Sequence, residues 1–232
     1  MLNQIRLVVF DLDYLIFDCA EVKIRALREG LVSLDEDIPH SALLPDVVVV
    51  EEGFRDHGRR WVSQLDIGLD EAALDRLQID YRMHEERLVS EGMGRLFPGL
   101  IELVSDCRVQ GLLPAIGAEA SRDYLMAVSD RHGLDPLFEM VYCTEEYGMG
   151  GADEMIEEIM SRAEVNPRET LALGTRPGFF LAARRMDVLS IGCGWGLRQL
   201  DALADADLQA PALTDLFSAI EKADEMAARF HS

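Results

Sequence analysis

The chain of 232 residues carries 22 basic and 43 acidic side chains, a formal net charge of −21. A field of that sign repels nucleic acid and anionic membrane surfaces, so we expect neither as a partner. No apolar run approaches the roughly 20 residues that span a bilayer. Four scattered cysteines without a CxxC pair indicate neither a zinc site nor a disulfide framework, which favours a cytoplasmic protein.

Short apolar runs rich in β-branched residues recur along the chain and are typical of buried strands. They occupy residues 5–11, 112–117, 140–143, 170–174 and 188–193. Stretches with helical spacing lie between them at 121–131, 153–163 and 178–185, and a last one covers 213–230. Strands that alternate with helices predict an α/β fold with a Rossmann-like parallel sheet core covered on both faces.

Residues 20–95 interrupt this alternation. They are charged and have helical spacing, which is clearest over 72–88. We expect an inserted α-helical cap over 20–95 and a core built from 1–19 and 96–232. The cap holds the densest basic cluster of the chain, Arg55, Arg59 and Arg60. This cluster either recruits an anionic substrate or is a solvated helix face with Trp61 packed beneath it.

Asp11 and Asp13 directly follow the first predicted strand. Ligands bind at the carboxyl ends of the strands in open parallel sheets, and residues two apart on a strand point to the same side. Such a pair can supply a nucleophilic carboxylate and a proton donor, and can hold Mg²⁺. The alternative is that both acids only end the strand and cap the turn.

The segment LVVFDLDYLIFD at 7–18 resembles the first motif of the haloacid dehalogenase (HAD) superfamily, hhhhDxDGT followed by an apolar pair and another Asp. The segments 97–104, 111–119, 169–174 and 206–220 resemble later elements of that family in the family's order. The resemblance covers nearly the whole chain and is to the branch of phosphatases that includes phosphoglycolate phosphatases. It implies the α/β core with a helical cap that the spacing also predicts.

The resemblance also implies a reaction. In the family, the first Asp attacks phosphorus to form an aspartyl-phosphate, and the second protonates the leaving group and then activates water. A Ser or Thr and a Lys bind the phosphoryl oxygens, and acids after the fourth strand complete a Mg²⁺ site. These cations and donors neutralise the charge on the transferring group.

Only part of that machinery matches this sequence. Asp11 fits the nucleophile and Asp13 the acid/base, and both belong to the implied metal site. The remaining family positions fall on residues of other types. Tyr14 and Leu15 replace the Gly-Thr pair, Ala118 (or Gly117, if the match shifts by one) replaces the Ser/Thr, Gly151 replaces the Lys, Thr175 replaces the metal-binding acid and Phe179 a second acid.

Loss of one preorganised charge-stabilising donor typically costs about 2.7–4 kcal/mol of barrier, and here a hydroxyl, a cation and a metal carboxylate are all missing. We therefore expect impaired catalysis and a Mg²⁺ site that is weak or absent. Arg122 and Arg176 are candidate substitutes that could clamp a phosphate. Either can instead be an exposed arginine at a helix start, and the sequence favours that interpretation for Arg122, whereas Arg176 lies in a loop at a strand end.

Three hypotheses of function remain open. The first is a HAD-fold protein that binds a small anionic or phosphorylated ligand, or a protein partner, without efficient turnover. The second is a Mg²⁺-dependent phosphoric monoester hydrolase of small phosphate esters. The third is a regulatory subunit that pairs with an active paralogue.

Overall fold

The computed structural model describes Leu2 and residues 4–34, 69–197 and 200–229. Eight strands lie within these residues: β1 (Leu7–Phe10), β2 (Phe17–Asp18), β3 (Arg95–Leu96), β4 (Leu113–Ala118), β5 (Met140–Cys143), β6 (Thr170–Gly174), β7 (Leu189–Cys193) and β8 (Leu208–Ala210). Six of them form one sheet in the order β5-β4-β1-β6-β7-β8, and every neighbouring pair is parallel. The two-residue strands β2 and β3 pair with each other.

Seven α-helices lie within the same residues: α1 (Ala20–Leu34), α2 (Glu71–Ser90), α3 (Leu100–Val109), α4 (Arg122–His132), α5 (Ala152–Ala163), α6 (Pro177–Arg185) and α7 (Leu216–Arg229). Short 3₁₀ turns occupy Thr144–Gly150, Pro167–Glu169, Asp201–Asp205 and Leu213–Asp215. In the described part of the chain, none of these helices has both the length and the apolar character needed to cross a membrane.

The predicted Rossmann-like parallel sheet is confirmed. All four residues of the central strand β1 are buried, which requires cover on both faces of the sheet. Leu7 and Val9 pack against Ile156 and Ile159 of α5 and Phe179 of α6 in one apolar cluster. On the opposite face Phe10 meets Phe138 edge-to-face at 5.7 Å. Each such side chain contributes roughly 1.5–3 kcal/mol through its burial.

Local signals explain where several helices begin and end. The Ser121 side chain accepts a hydrogen bond from the Tyr124 N–H at the start of α4, and Asp70 does the same for Ala73 at the start of α2. Gly133, at φ 66°, ends α4 in the left-handed conformation that glycine adopts without steric cost. These caps fix the direction in which each helix leaves its loop.

The chain divides into two compact units, one of residues 1–18 and 96–232 and the other of residues 19–95. In the second unit, α1 packs closely on α2, because a Cβ at Gly30 would lie 2.9 Å from the Leu77 side chain. A buried ion pair joins the same two helices, with Lys23 Nζ 2.9 Å from Glu85 Oε1.

Candidate functional site

The carboxyl end of β1 lies between the ends of β4 and β6. Phe10 is in register with Ile116 on one side and Leu173 on the other. Asp11 extends the strand by one residue, and its backbone N–H donates to the Leu173 carbonyl at 2.8 Å. The Asp11 carboxylate is fully buried and accepts a hydrogen bond from the Leu12 N–H at 2.8 Å. The parallel sheet thus fixes a carboxylate at its central strand end.

A guanidinium lies directly against this carboxylate. Arg176 follows β6 and its Nη2 is 3.0 Å and 3.3 Å from the two carboxylate oxygens of Asp11. The same nitrogen is 3.2 Å from Glu119 Oε2, at the end of β4. The side chain of Arg176 is only 15% exposed and that of Glu119 25%. Three adjacent strand ends therefore contribute to one ion-pair cluster of Asp11, Arg176 and Glu119.

In this cluster, the Asp11 carboxyl is easier to protonate than the carboxyl of an ordinary aspartate. Burial raises the pKa of the Asp11 carboxyl from its ordinary 3.8 to about 6. The Arg176 guanidinium opposes that rise, and the neighbouring carboxylates of Glu119 and Asp13 add to it. Burial lowers the pKa of Arg176, but the three carboxylates around it more than compensate and raise that pKa well above its usual range.

Asp13 is held from two sides. Its carboxylate accepts a hydrogen bond from the Tyr124 hydroxyl at 2.9 Å, and both side chains are buried. Its main-chain carbonyl accepts one from the Thr175 hydroxyl at 3.2 Å. Both contacts fix the position of Asp13 beside the ion-pair cluster.

The turn after Asp13 has an unusual residue at its centre. Tyr14 has φ 61° and is 1% exposed, so a bulky buried side chain adopts the left-handed region that normally favours glycine. Trp195 Nε1 donates to the Leu15 carbonyl at 2.9 Å. A Cβ at Gly196 would lie 1.9 Å from the Tyr14 carbonyl oxygen. The glycine-rich segment 192–196 thus packs directly on this turn.

The residues predicted to bind phosphate differ in their burial and in their contacts. Ala118 is the buried last residue of β4, and Gly151 immediately precedes α5. Arg122 is 62% exposed and pairs with Glu146, and its backbone N–H donates to Glu145. Arg176 alone of the two candidate arginines contacts Asp11. The basic cap cluster of Arg55, Arg59 and Arg60 lies outside the described residues.

The predicted ligands of Mg²⁺ do not fit the ion. A small divalent cation needs near-octahedral oxygen coordination at about 2.0–2.1 Å. The Asp11 carboxylate is paired with Arg176, the Asp13 carboxylate accepts the Tyr124 hydroxyl, and Thr175 offers a neutral hydroxyl that is bonded to a main-chain carbonyl. Among the described residues, no three His, Cys, Asp or Glu side chains form a group that could hold a metal ion.

Glu119 and Tyr124 belong to this site but were not predicted from the sequence. Glu119 directly follows β4, so the rule that ligands bind at strand ends could have identified it. Tyr124 is the third residue after the N-cap Ser121 and lies in the first turn of α4. Its spacing is that of an ordinary buried helix residue, so the sequence carries no comparable signal.

Comparisons with known proteins agree with this architecture. The family model for haloacid dehalogenase-like hydrolases matches residues 8–193. A crystal structure of a predicted phosphoglycolate phosphatase from Haemophilus somnus superimposes with a TM-score of 0.78 at 15% identity, covering 93% of this chain and 98% of its own. CbbY from Rhodobacter sphaeroides in complex with phosphate gives 0.71 at 16% identity and coverages of 91% and 96%.

A predicted phosphatase from Clostridium acetobutylicum gives a TM-score of 0.75 at 17% identity and covers 95% of this chain and 100% of its own. A search of curated proteins gives no significant match. Identities this low show a shared fold, whereas the family model extends over most of the sequence. The chain therefore belongs to the haloacid dehalogenase-like hydrolase family.

Proposed function

We propose that this chain is a catalytically impaired HAD-like protein that acts by binding a ligand or a protein partner. The observation that carries the proposal is the contact of 3.0 Å between Arg176 Nη2 and the Asp11 carboxylate. A carboxylate that attacks phosphorus needs a free lone pair aimed at its target. The ion pair engages both oxygens of Asp11 and lowers the electron density that is available for attack.

The charge around Asp11 also opposes a phosphate dianion. The carboxylates of Asp11, Asp13 and Glu119 act together on Arg176, and they outnumber the guanidinium by two. A dianion that enters the cluster meets this excess in a poorly solvated place, where repulsion is strong. Neither Ala118 nor Gly151 offers a hydroxyl or a cation to offset it.

One donor atom of Arg176 lacks an acceptor in this cluster. Arg176 Nε is buried and has no acceptor among the described residues. A buried donor without an acceptor costs about 1–3 kcal/mol, so the cluster holds Arg176 in place at an energetic cost. We expect the excess of carboxylates to disfavour a phosphate dianion as the ligand. We also propose a cytoplasmic location, supported by four cysteines that are all buried and unbonded.

The alternative function is a phosphohydrolase of small phosphate esters. It is favoured by one specific arrangement, in which Asp11 and Asp13 are both buried at the end of the central strand and Asp13 is positioned by the Tyr124 hydroxyl. A hydrogen-bonded second carboxyl is what a general acid needs. In this alternative, Arg176 leaves Asp11 when substrate binds and clamps the phosphoryl group.

Hydrolysis of a panel of small phosphate esters separates the two functions. The parent protein and the Asp11→Asn variant are assayed side by side with Mg²⁺, and an Asp130→Asn variant, changed at an exposed position of α4, serves as the matched control. We expect no turnover by the parent above that of Asp11→Asn. Turnover that is lost in Asp11→Asn and kept in Asp130→Asn would establish the phosphohydrolase instead.

A further inference from the structure

Arg176 is built into the site rather than resting on it. It is the residue before α6, its main-chain carbonyl accepts the Phe180 N–H at 3.3 Å, and Pro177 starts the helix immediately after it. Phe179 and Phe180 on the next turn are fully buried and anchor this helix start to the core. The guanidinium therefore reaches Asp11 from a helix start that is packed against the core.

The position of the guanidinium is that of a charge-compensating cation. Nη2 lies within 3.3 Å of both Asp11 oxygens and of one Glu119 oxygen, so a single nitrogen contacts two carboxylates. A divalent ion on Asp11 would have to share that carboxylate with a permanent positive charge about 3 Å away, and like charges at this distance repel strongly when little water separates them.

Thr175, the residue beside Arg176, also differs from the metal-binding acid that the family resemblance implies at its position. Thr175 is fully buried and its hydroxyl donates to the Asp13 carbonyl. A hard divalent cation prefers a carboxylate to a neutral hydroxyl. The Asp13 carbonyl oxygen therefore accepts a hydrogen bond from a neutral hydroxyl instead of contacting a cation. At Arg176 and at Thr175, a side chain of the protein makes a contact where the family resemblance implies a metal ion.

We propose that Arg176 is a built-in cation that takes the place of a divalent metal ion at Asp11, so that the Asp11 carboxylate is paired with a positive charge without metal. The proposal concerns the binding of metal and stands apart from turnover, because a protein without metal at Asp11 can be active or inactive. It predicts that a metal site forms at Asp11 when Arg176 is replaced by a neutral residue and Thr175 by aspartate.

Binding of Mn²⁺, followed by electron paramagnetic resonance, tests this with the metal alone. The net charge of −21 gives every variant some non-specific binding, so only binding that depends on Asp11 is counted. We expect the parent and Asp11→Asn to bind Mn²⁺ indistinguishably. We expect Thr175→Asp/Arg176→Gln to bind it at least about ten-fold more tightly than the same double variant that also carries Asp11→Asn.

Two controls separate the causes. Thr175→Asp alone keeps the guanidinium and is expected to gain no Asp11-dependent binding. Arg185→Gln removes an exposed arginine from the same helix and is expected to behave as the parent. Mn²⁺ binding by the parent that disappears in Asp11→Asn overturns the proposal without any engineered site. A folded double variant without Asp11-dependent binding overturns it as well, whereas the turnover assay addresses only the proposed function.

Discussion

At the scale of single residues, the chemistry of this protein depends on which partner Asp11 has. The carboxylate is completely buried and its nearest cation is Arg176, at 3.0 Å. Burial of a charge is costly unless it is paired, and the pair here still leaves the carboxyl easier to protonate than an ordinary aspartate. Because burial raises the pKa of this carboxyl, the stability of the protein depends on pH.

The first prediction concerns that pH dependence. The pKa of Asp11 is 3.8 as an ordinary aspartate and about 6 in the folded protein, so between these values the folded state holds a proton that the unfolded chain has released. Stability from this group is therefore fully present below about pH 4 and is lost as pH rises through about 6.

The difference amounts to about 3 kcal/mol. We expect the unfolding free energy of the parent, relative to Asp11→Asn, to fall by this order between pH 4 and 7 in urea titrations. Asp130→Asn should show no such change relative to the parent. A difference between the parent and Asp11→Asn that is constant with pH would mean that Asp11 titrates at the same pH in both states.

The sequence predicts some of the site residues and not others, for physical reasons. Asp11 and Asp13 can be identified because two acids end an apolar run, and Arg176 because it lies in a loop after another such run. The distance between Asp11 and Arg176 cannot be predicted from the local sequence, because it depends on the register of β1 and β6. Tyr124 contacts Asp13 across 111 positions of sequence, and no spacing rule reports a contact of that kind.

At the scale of elements, the turn of residues 12–17 and the segment 192–196 depend on each other. Tyr14 adopts a left-handed φ, which costs a bulky residue roughly 1–2 kcal/mol, and surrounding contacts must hold it there. Trp195 and Gly196 supply them through a hydrogen bond to Leu15 and a close backbone approach to Tyr14.

The second prediction follows from that approach. Gly196→Ala would place a Cβ 1.9 Å from a backbone oxygen that cannot move without shifting the turn. We expect a loss of about 3 kcal/mol or more in unfolding free energy, measured by urea unfolding. Gly178→Ala is the matched control, because its Cβ would meet only Glu119 at 3.7 Å, and it should be close to neutral. Equal stability of the two variants would show that the close approach does not constrain the turn.

The third prediction concerns the ion pair between α1 and α2. Lys23 is one of two lysines in the chain, and its side chain and that of Glu85 are 11% and 9% exposed. Lys23→Met removes the ammonium beside a buried carboxylate and should cost about 3–5 kcal/mol, whereas Lys23→Met/Glu85→Leu should recover most of the loss. Urea unfolding followed by circular dichroism measures both.

Arg25→Met provides the comparison for this pair, since Arg25 forms an exposed ion pair with Glu29 on the same helix. Its loss should cost no more than about 1 kcal/mol. A double variant as unstable as Lys23→Met would show that Glu85 is not what makes the single change costly.

Element prediction from the sequence succeeds where the pattern is long and apolar. The runs 140–143 and 170–174 coincide with β5 and β6, and the others agree within two residues at most boundaries. The strands β2 and β3 have two residues each, too few for any period to appear. In β8 the exposed Gln209 interrupts a run of three, so hydrogen bonding to β7 rather than pattern defines it.

At the scale of the whole molecule, the residues that determine the fold are different from those that determine the chemistry. The apolar runs that build the parallel sheet match the family model over residues 8–193. The side chains at the strand ends are few, and changing them leaves the sheet intact. A chain can therefore keep the family's architecture while an arginine and a threonine stand where the resemblance implies a metal site.

A crystal structure of the parent grown with Mg²⁺ and inorganic phosphate tests this account most directly. We predict that Arg176 Nη2 remains in contact with the Asp11 carboxylate, with Thr175 bonded to the Asp13 carbonyl and no metal ion between them. A Mg²⁺ ion on Asp11, with Arg176 turned away toward a bound phosphate, would contradict the account and identify the protein as a metal-dependent phosphohydrolase.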